Sequence, residues 1–114
     1  MQTEQTINWS DFTKIEMRVG TIIHAEVFKE AHKPAYKITI DFGPYGRYKS
    51  SAQITKLYSV ESLPGKQVIA VLNFPPKQIA NFYSECLVLG TVGESNTITL
   101  LSPEQPVPNG LRIG

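Results

Sequence analysis

The 114-residue chain has one cysteine, Cys86, two histidines, His24 and His32, and one tryptophan. A single thiol excludes an intramolecular disulfide and suits a reducing compartment. A zinc site takes three or four soft or imidazole ligands at short spacings. Cys86, His24 and His32 have no such spacing, so neither a metal nor another cofactor is expected. No apolar run approaches the ~20 residues of a membrane-crossing helix, so membrane insertion is not expected. Met1-Gln2-Thr3-Glu4-Gln5 is polar and lacks the basic-then-apolar order of a secretory signal. These features point to a cytoplasmic protein. There is no glycine-rich phosphate loop and no G-x-S-x-G elbow, and no catalytic constellation stands out. We therefore expect a binding module rather than an enzyme.

Net charge is also small, at +1. That value hides an asymmetry. Residues 29–77 carry Lys29, Lys33, Lys37, Arg47, Lys49, Lys56, Lys66 and Lys77 against Glu30, Asp41 and Glu61, a net of +5. The flanking segments each net −2. The middle segment is a candidate polyanion face, or a set of lysines solvating the outward side of strands.

What is present reads as one domain over residues 1–114. Its 41% hydrophobic content suffices for one modest core. A short helix is expected near Ser10-Asp11-Phe12-Thr13, capped by Ser10 or Asn8. Met17, Val19, Thr21 and Ile23 then alternate with Arg18, Gly20, Ile22 and His24, which is strand periodicity. Gly20 marks a bend or bulge. Residues 29–34 read as a loop, where a lone His32 could meet a phosphate or carboxylate or simply be solvated. Tyr36, Ile38, Ile40 and Phe42 share one face of the second strand, and Gly43-Pro44-Tyr45-Gly46 turns into a third at Arg47-Tyr48-Lys49. Alternating basic and aromatic residues on adjacent strands suit phosphate contacts and base stacking, although Tyr48 could equally pack inward. A helical turn is expected over residues 54–58. Alternation assigns Val19, Ile38, Ile40, Val71 and Leu87 to the barrel interior.

The apolar runs Val68-Ile69-Ala70-Val71-Leu72 and Cys86-Leu87-Val88-Leu89 are short and β-branched, so both read as core strands. Cys86 is expected to be buried and inert. Pro75 and Pro76 between them cannot donate to a ladder, so residues 73–85 project from the end of a sheet. This projecting segment holds polar Asn73, Lys77, Ser84 and Glu85. It also holds Phe74, Pro75, Ile79, Phe82 and Tyr83, more apolar surface than a solvated loop needs and a candidate peptide site. Phe74 and Phe82 could instead plug the barrel end. The tail, with Pro103, Pro106 and Pro108, favours extended backbone before Leu111-Arg112-Ile113. A stiff tail with an apolar end needs a surface, on its own barrel or on a second copy.

The spaced motifs Asn73-x-x-Pro76-Lys77 and Ser84-Glu85 resemble the tRNA-binding domain at the C-terminus of many methionyl-tRNA synthetases and in endothelial-monocyte-activating polypeptide II. Asp11-Phe12-x-Lys14-Ile15-x-Met17-Arg18-Val19-Gly20-x-Ile22 is similar to that domain's first strand. Ser50-Ser51-Ala52-Gln53-Ile54-Thr55 falls at its middle loop. Pro106-Val107-Pro108-Asn109-Gly110 through Ile113-Gly114 resembles the free-standing CsaA-type members. The resemblance covers about residues 10–114. It implies an all-β, OB-fold, five-stranded Greek-key barrel with short helical turns at the N-terminus and after the third strand. It also implies a homodimer joined through residues 1–14 and 102–114, and a groove lined by Ser51 and Gln53. Asn81 stands where relatives often have glycine, so a positive φ is expected there.

Two functions follow from the resemblance. One is a chaperone binding unfolded or export-destined polypeptides, aiding secretion, through Phe74, Pro75, Ile79, Phe82 and Tyr83. The other is structure-specific tRNA binding through Lys33, Arg47, Lys49, Ser51, Gln53, Lys56, Asn73, Lys77 and Ser84.

Overall fold

Strand alternation decides which residues enter the core. In β2 (Tyr36–Asp41) the residues Tyr36, Ile38 and Ile40 are buried, while Lys37, Thr39 and Asp41 are half-exposed. Each successive side chain of a strand changes face, so one apolar set fills the interior. The computed structural model describes residues 5–114. The first four residues, part of the expected N-terminal extension, lie outside that range.

The order is helix α1 (Trp9–Thr13), β1 (Met17–Val27), β2, β3 (Arg47–Ala52), β4 (Gln67–Val71), β5 (Lys77–Ile79), β6 (Phe82–Ser84), β7 (Leu87–Val88), β8 (Gly90–Val92) and β9 (Ile98–Leu100). β3-β2-β1-β4-β7 form one antiparallel sheet that curls into a nearly closed barrel. β5–β6 and β8–β9 are separate hairpins. This is the expected all-β OB-fold barrel. Asn8 caps α1 in a capping box with Asp11, each side chain bonding the other residue's backbone N–H.

β1 differs from its expected reading. Gly20 points inward, where a Cβ would lie 2.6 Å from both Ile40 and the Phe42 ring. Glycine is needed there for close approach, and the bulge comes later, between Ile22 and His24. The inward residues are thus Gly20 and Ile22. Val19, expected in the barrel, is 2% exposed but lies on the opposite side of the strand, outside the main cluster. The C-terminal tail runs beside it, with Val19 bonding Leu111 and Gly110 through its main chain.

Ile38, Ile40 and Val71 are buried as expected, whereas Leu87 is 49% exposed. The chain bends at Glu85–Cys86, so Cys86 turns in and Leu87 turns out. After β3 the chain makes a hydrogen-bonded turn over residues 55–57, within the expected 54–58. Ser59 and Ser62 exchange side-chain-to-backbone bonds just beyond, which offers the backbone an alternative to helical pairing. Short 3-10 turns also occur at Gly43–Tyr45 and Glu94–Asn96.

Candidate ligand-binding site

Residues 84–86 close the barrel. Glu85 accepts from Lys49 N–H through Oε1 at 2.8 Å and donates its own N–H to Lys49 O at 2.7 Å. Ser51 N–H donates to Ser84 Oγ, and Ser50 Oγ–H donates to Cys86 O. The Ser-Glu motif therefore pegs β6 and β7 to the edge of β3. Asn73 has a similar task. Its amide donates to Lys14 O at 2.7 Å and accepts from Glu16 N–H at 3.0 Å, tying α1 to the end of β4. Asn73 and Ser84, both expected to touch RNA, already hold the scaffold together. No local pattern signals such partners, since Asn73 and Glu16 are 57 residues apart.

The expected basic residues do not all converge. Lys33, Lys77, Ser51 and Gln53 line one cleft of about 320 Å³, together with His32 and Ile79. It lies between the β1–β2 loop, the end of β3 and the β5–β6 hairpin. Arg47 lies by a second cleft with Tyr45, Phe74 and Glu85. Lys49 extends over the Phe82 ring, 5.5 Å from its centroid. Lys56 reaches away to Ser95 O on the β8–β9 turn. Lys37, absent from the expected set, sits 4.9 Å from the Phe28 centroid and 5.4 Å from that of Phe82. Its alternation with Thr39 and Asp41 on the outer face of β2 was the available signal.

The expected apolar site also divides. Phe82 is 8% exposed and forms a small second core with Phe28 and Ala35, against which Ile79 packs. Phe28 and Phe82 meet edge-on at 5.3 Å. This removes Phe82 and most of Ile79 from a peptide surface, because an amphipathic hairpin must bury one face. Tyr83 and Phe74 are exposed, and Phe74 and Pro75 line an apolar groove with Cys86 and Leu87.

The β5–β6 turn contains Ala80 and Asn81. Positive φ falls on Ala80, at 54°, and not on Asn81. A positive φ at the first turn position belongs to type II′, which favours glycine there. Ala80→Gly should raise stability by about 1 kcal/mol by relieving the Cβ clash. Thermal unfolding of the two proteins checks this.

Burial pushes the Cys86 thiol up to about 12. At neutral pH almost no thiolate forms, so the group is a poor nucleophile. A thiol-reactive disulfide reagent should modify Cys86 at the rate of barrel opening and at full speed in denaturant.

Among the described residues, no three His, Cys, Asp or Glu side chains group to hold a metal, and no helix is long and apolar enough to cross a membrane.

The crystal structure of chaperone CsaA from Bacillus anthracis is 51% identical, with a TM-score of 0.92 over 96% of this chain and all of that one. CsaA from Picrophilus torridus is also 51% identical, with a TM-score of 0.88 over the same shares. Methionine–tRNA ligase 1 from Bacillus anthracis is 39% identical over 110 residues. That alignment covers 96% of this chain but 16% of the ligase, so the chain spans about a sixth of that relative. Residues 17–112 match the family model described as a tRNA binding domain, and the chain belongs to that family.

Proposed function

We propose that this protein is a polypeptide-binding chaperone of CsaA type, acting in the cytoplasm and on export-destined chains. The observation that carries this is the likeness to CsaA chaperones over their entire length, at 51% identity. Exposed Phe74 and Leu87 along the apolar groove support it, since exposed apolar patches mark partner sites. We read a binding module and not an enzyme. The Cys86 thiol is buried and protonated, and Glu85 is committed to the main chain of Lys49.

The test is suppression of aggregation of a chemically unfolded client, wild type against Phe74→Ser with Tyr83→Ser. Both side chains are about half exposed, so the fold should survive. Potency should fall several-fold. Unchanged potency in a folded double variant would remove this surface from the site.

A homodimer accompanies this reading. Ile7, Trp9 and Leu111 are exposed at 70%, 72% and 48%. The helix and the tail adjoin, because Arg112 donates to Thr13 O and Ile15 O. One apolar patch used twice across a two-fold axis would cover these groups. Light scattering at micromolar concentration should report a dimer, and a monomer would end the proposal.

tRNA binding is the second reading, favoured by Lys33 and Lys77 converging with Ser51 and Gln53 on one cleft. Phosphate contacts release counterions, so affinity should fall by about 0.7–0.9 log units per contact for each tenfold rise in salt. Lys77→Glu should weaken tRNA binding and reduce that slope by roughly one. No binding at low salt, or a slope indifferent to the substitution, would leave polypeptide as the ligand.

A further inference from the structure

The five-stranded sheet has two edges, β3 and β7, which do not pair with each other. The side chains of Ser84 and Glu85 and the carbonyl of Cys86 join them at one end. Beyond Ser51 and Cys86 a cleft of about 380 Å³ lies over the seam, lined by residues 51–54 and residues 87–89.

Main-chain direction along both edges follows from register. In an antiparallel pair, alternate residues turn both polar groups toward the partner and the others turn both away. Leu89 N–H bonds Ile69 O, in register with Val71↔Leu87. Leu87 and Leu89 thus face β4, and Val88 turns its N–H and C=O toward the seam. On β3, Phe42 N–H bonds Gly46 O, in register with Ile40↔Tyr48 and Ile38↔Ser50. Lys49 and Ser51 therefore face the seam, in agreement with their bonds to Glu85 and Ser84.

Apart from Ser51 and Gln53 the lining is apolar, and it includes Leu87 and Val92, 49% and 75% exposed. It contains no charged side chain, unlike the cleft of Lys33 and Lys77. A row of outward main-chain groups flanked by apolar side chains is what an added strand requires. The main-chain bonds supply affinity, and the apolar flank takes alternate side chains. Nucleic acid would find no cation here.

We propose that an extended segment of non-native polypeptide, apolar at alternate positions, binds along this seam by strand addition. It bonds the main chain of Val88 on the β7 edge and lays its apolar residues on Leu87 and Val92. Main-chain recognition explains how one site would accept many unfolded sequences. The inference rests on the polypeptide-binding reading and adds to the Phe74 groove a second contact surface that shares Leu87 with it, with a stated binding mode.

The experiment uses the full chain and three probes: a reduced, alkylated polypeptide, an octapeptide of alternating valine and threonine, and that octapeptide with alternate amides N-methylated. A photo-reactive phenylalanine analogue is placed at Val92 in one sample and at Tyr83 in another. The Val92 position should capture the unmodified peptide. N-methylation, and separately Val92→Glu, should each weaken binding about tenfold or more, and Val92→Glu should leave the melting temperature unchanged. If wild type binds neither the unfolded polypeptide nor the plain peptide, the polypeptide-binding reading and the seam fall together. If it binds both, but N-methylation is without effect or capture occurs at Tyr83 alone, the seam is overturned and the broader reading stands.

Discussion

Ile40→Asp should abolish the folded state. Ile40 is 0% exposed and lies in the main cluster with Ile22, Phe42 and Val68. Its neighbours offer no cation, because the inward set of the barrel is apolar. An isolated carboxylate there must stay charged at a large desolvation cost or take up a proton, and neither restores packing. Losses above about 4–5 kcal/mol arise from buried unpaired charge of this kind. A domain of this size has roughly 5–15 kcal/mol in total. Circular dichroism at neutral pH should show an unfolded chain or insoluble protein. A folded variant with wild-type melting temperature would show that Ile40 lies outside the core.

Much of this core was legible because its pattern is local. Tyr36, Ile38, Ile40 and Phe42 alternate without interruption, and all four are buried. Alternation fails where the ladder is irregular. The bulge at Ile22–His24 and the bend at Glu85–Cys86 each change which residues face inward. Val19 and Leu87, at the far side of Gly20 and just after that bend, were misassigned for this reason. Asn81 lacks the expected positive φ because the two-residue turn between Ile79 and Phe82 takes it at Ala80 alone, a choice of turn type that composition does not reveal.

The candidate site was legible as a segment but not as a surface. Charge counted along the chain cannot tell that Lys33 and Lys77 meet while Lys56 turns to Ser95. That depends on how the β5–β6 hairpin folds over the β1–β2 loop. Composition likewise marks Asn73, Ser84 and Glu85 as unusual polar groups in an apolar neighbourhood. It cannot distinguish a ligand contact from a peg, because their partners at Glu16, Ser51 and Lys49 are remote in sequence.

Deleting residues 107–114 should cause the second large loss. The tail pairs with the half of β1 that β2 leaves uncovered. Three main-chain bonds join it: Val19 N–H to Leu111 O at 3.0 Å, Gly110 N–H to Val19 O at 2.7 Å and Ile113 N–H to Met17 O at 2.8 Å. Side chains reinforce them. Thr21 Oγ1–H donates to Asn109 Oδ1, Gln67 donates to Val107 O, and Arg18, stacked on Tyr45 at 4.0 Å, donates to Gly110 O. Main-chain bonds contribute roughly 1 kcal/mol each. The side-chain bonds from Thr21, Gln67 and Arg18 add about 1 kcal/mol each at most. The expected loss is on the order of 4–6 kcal/mol, or a fall in melting temperature of more than about 15 °C. The bared β1 edge would also promote aggregation.

The contact of the tail with Glu16 carries a pH signature. Burial works to raise the Glu16 pKa, but hydrogen bonds from Arg112 and Arg18 outweigh it and hold the carboxyl below its usual 4.5. A lowered folded-state pKa means the contribution is complete above 4.5 and is lost as pH falls through the folded value. Glu16→Gln should therefore leave stability at pH 3 unchanged and lower it slightly at pH 7, flattening the acid limb by that same small amount, given the exposure of the pair. Urea titrations of wild type, Glu16→Gln and the truncated chain from pH 3 to 7 check both expectations. A truncated protein as stable as the full chain would mean that the tail does not hold β1 in solution. A loss that varies with protein concentration would mean that a second copy supplies the tail.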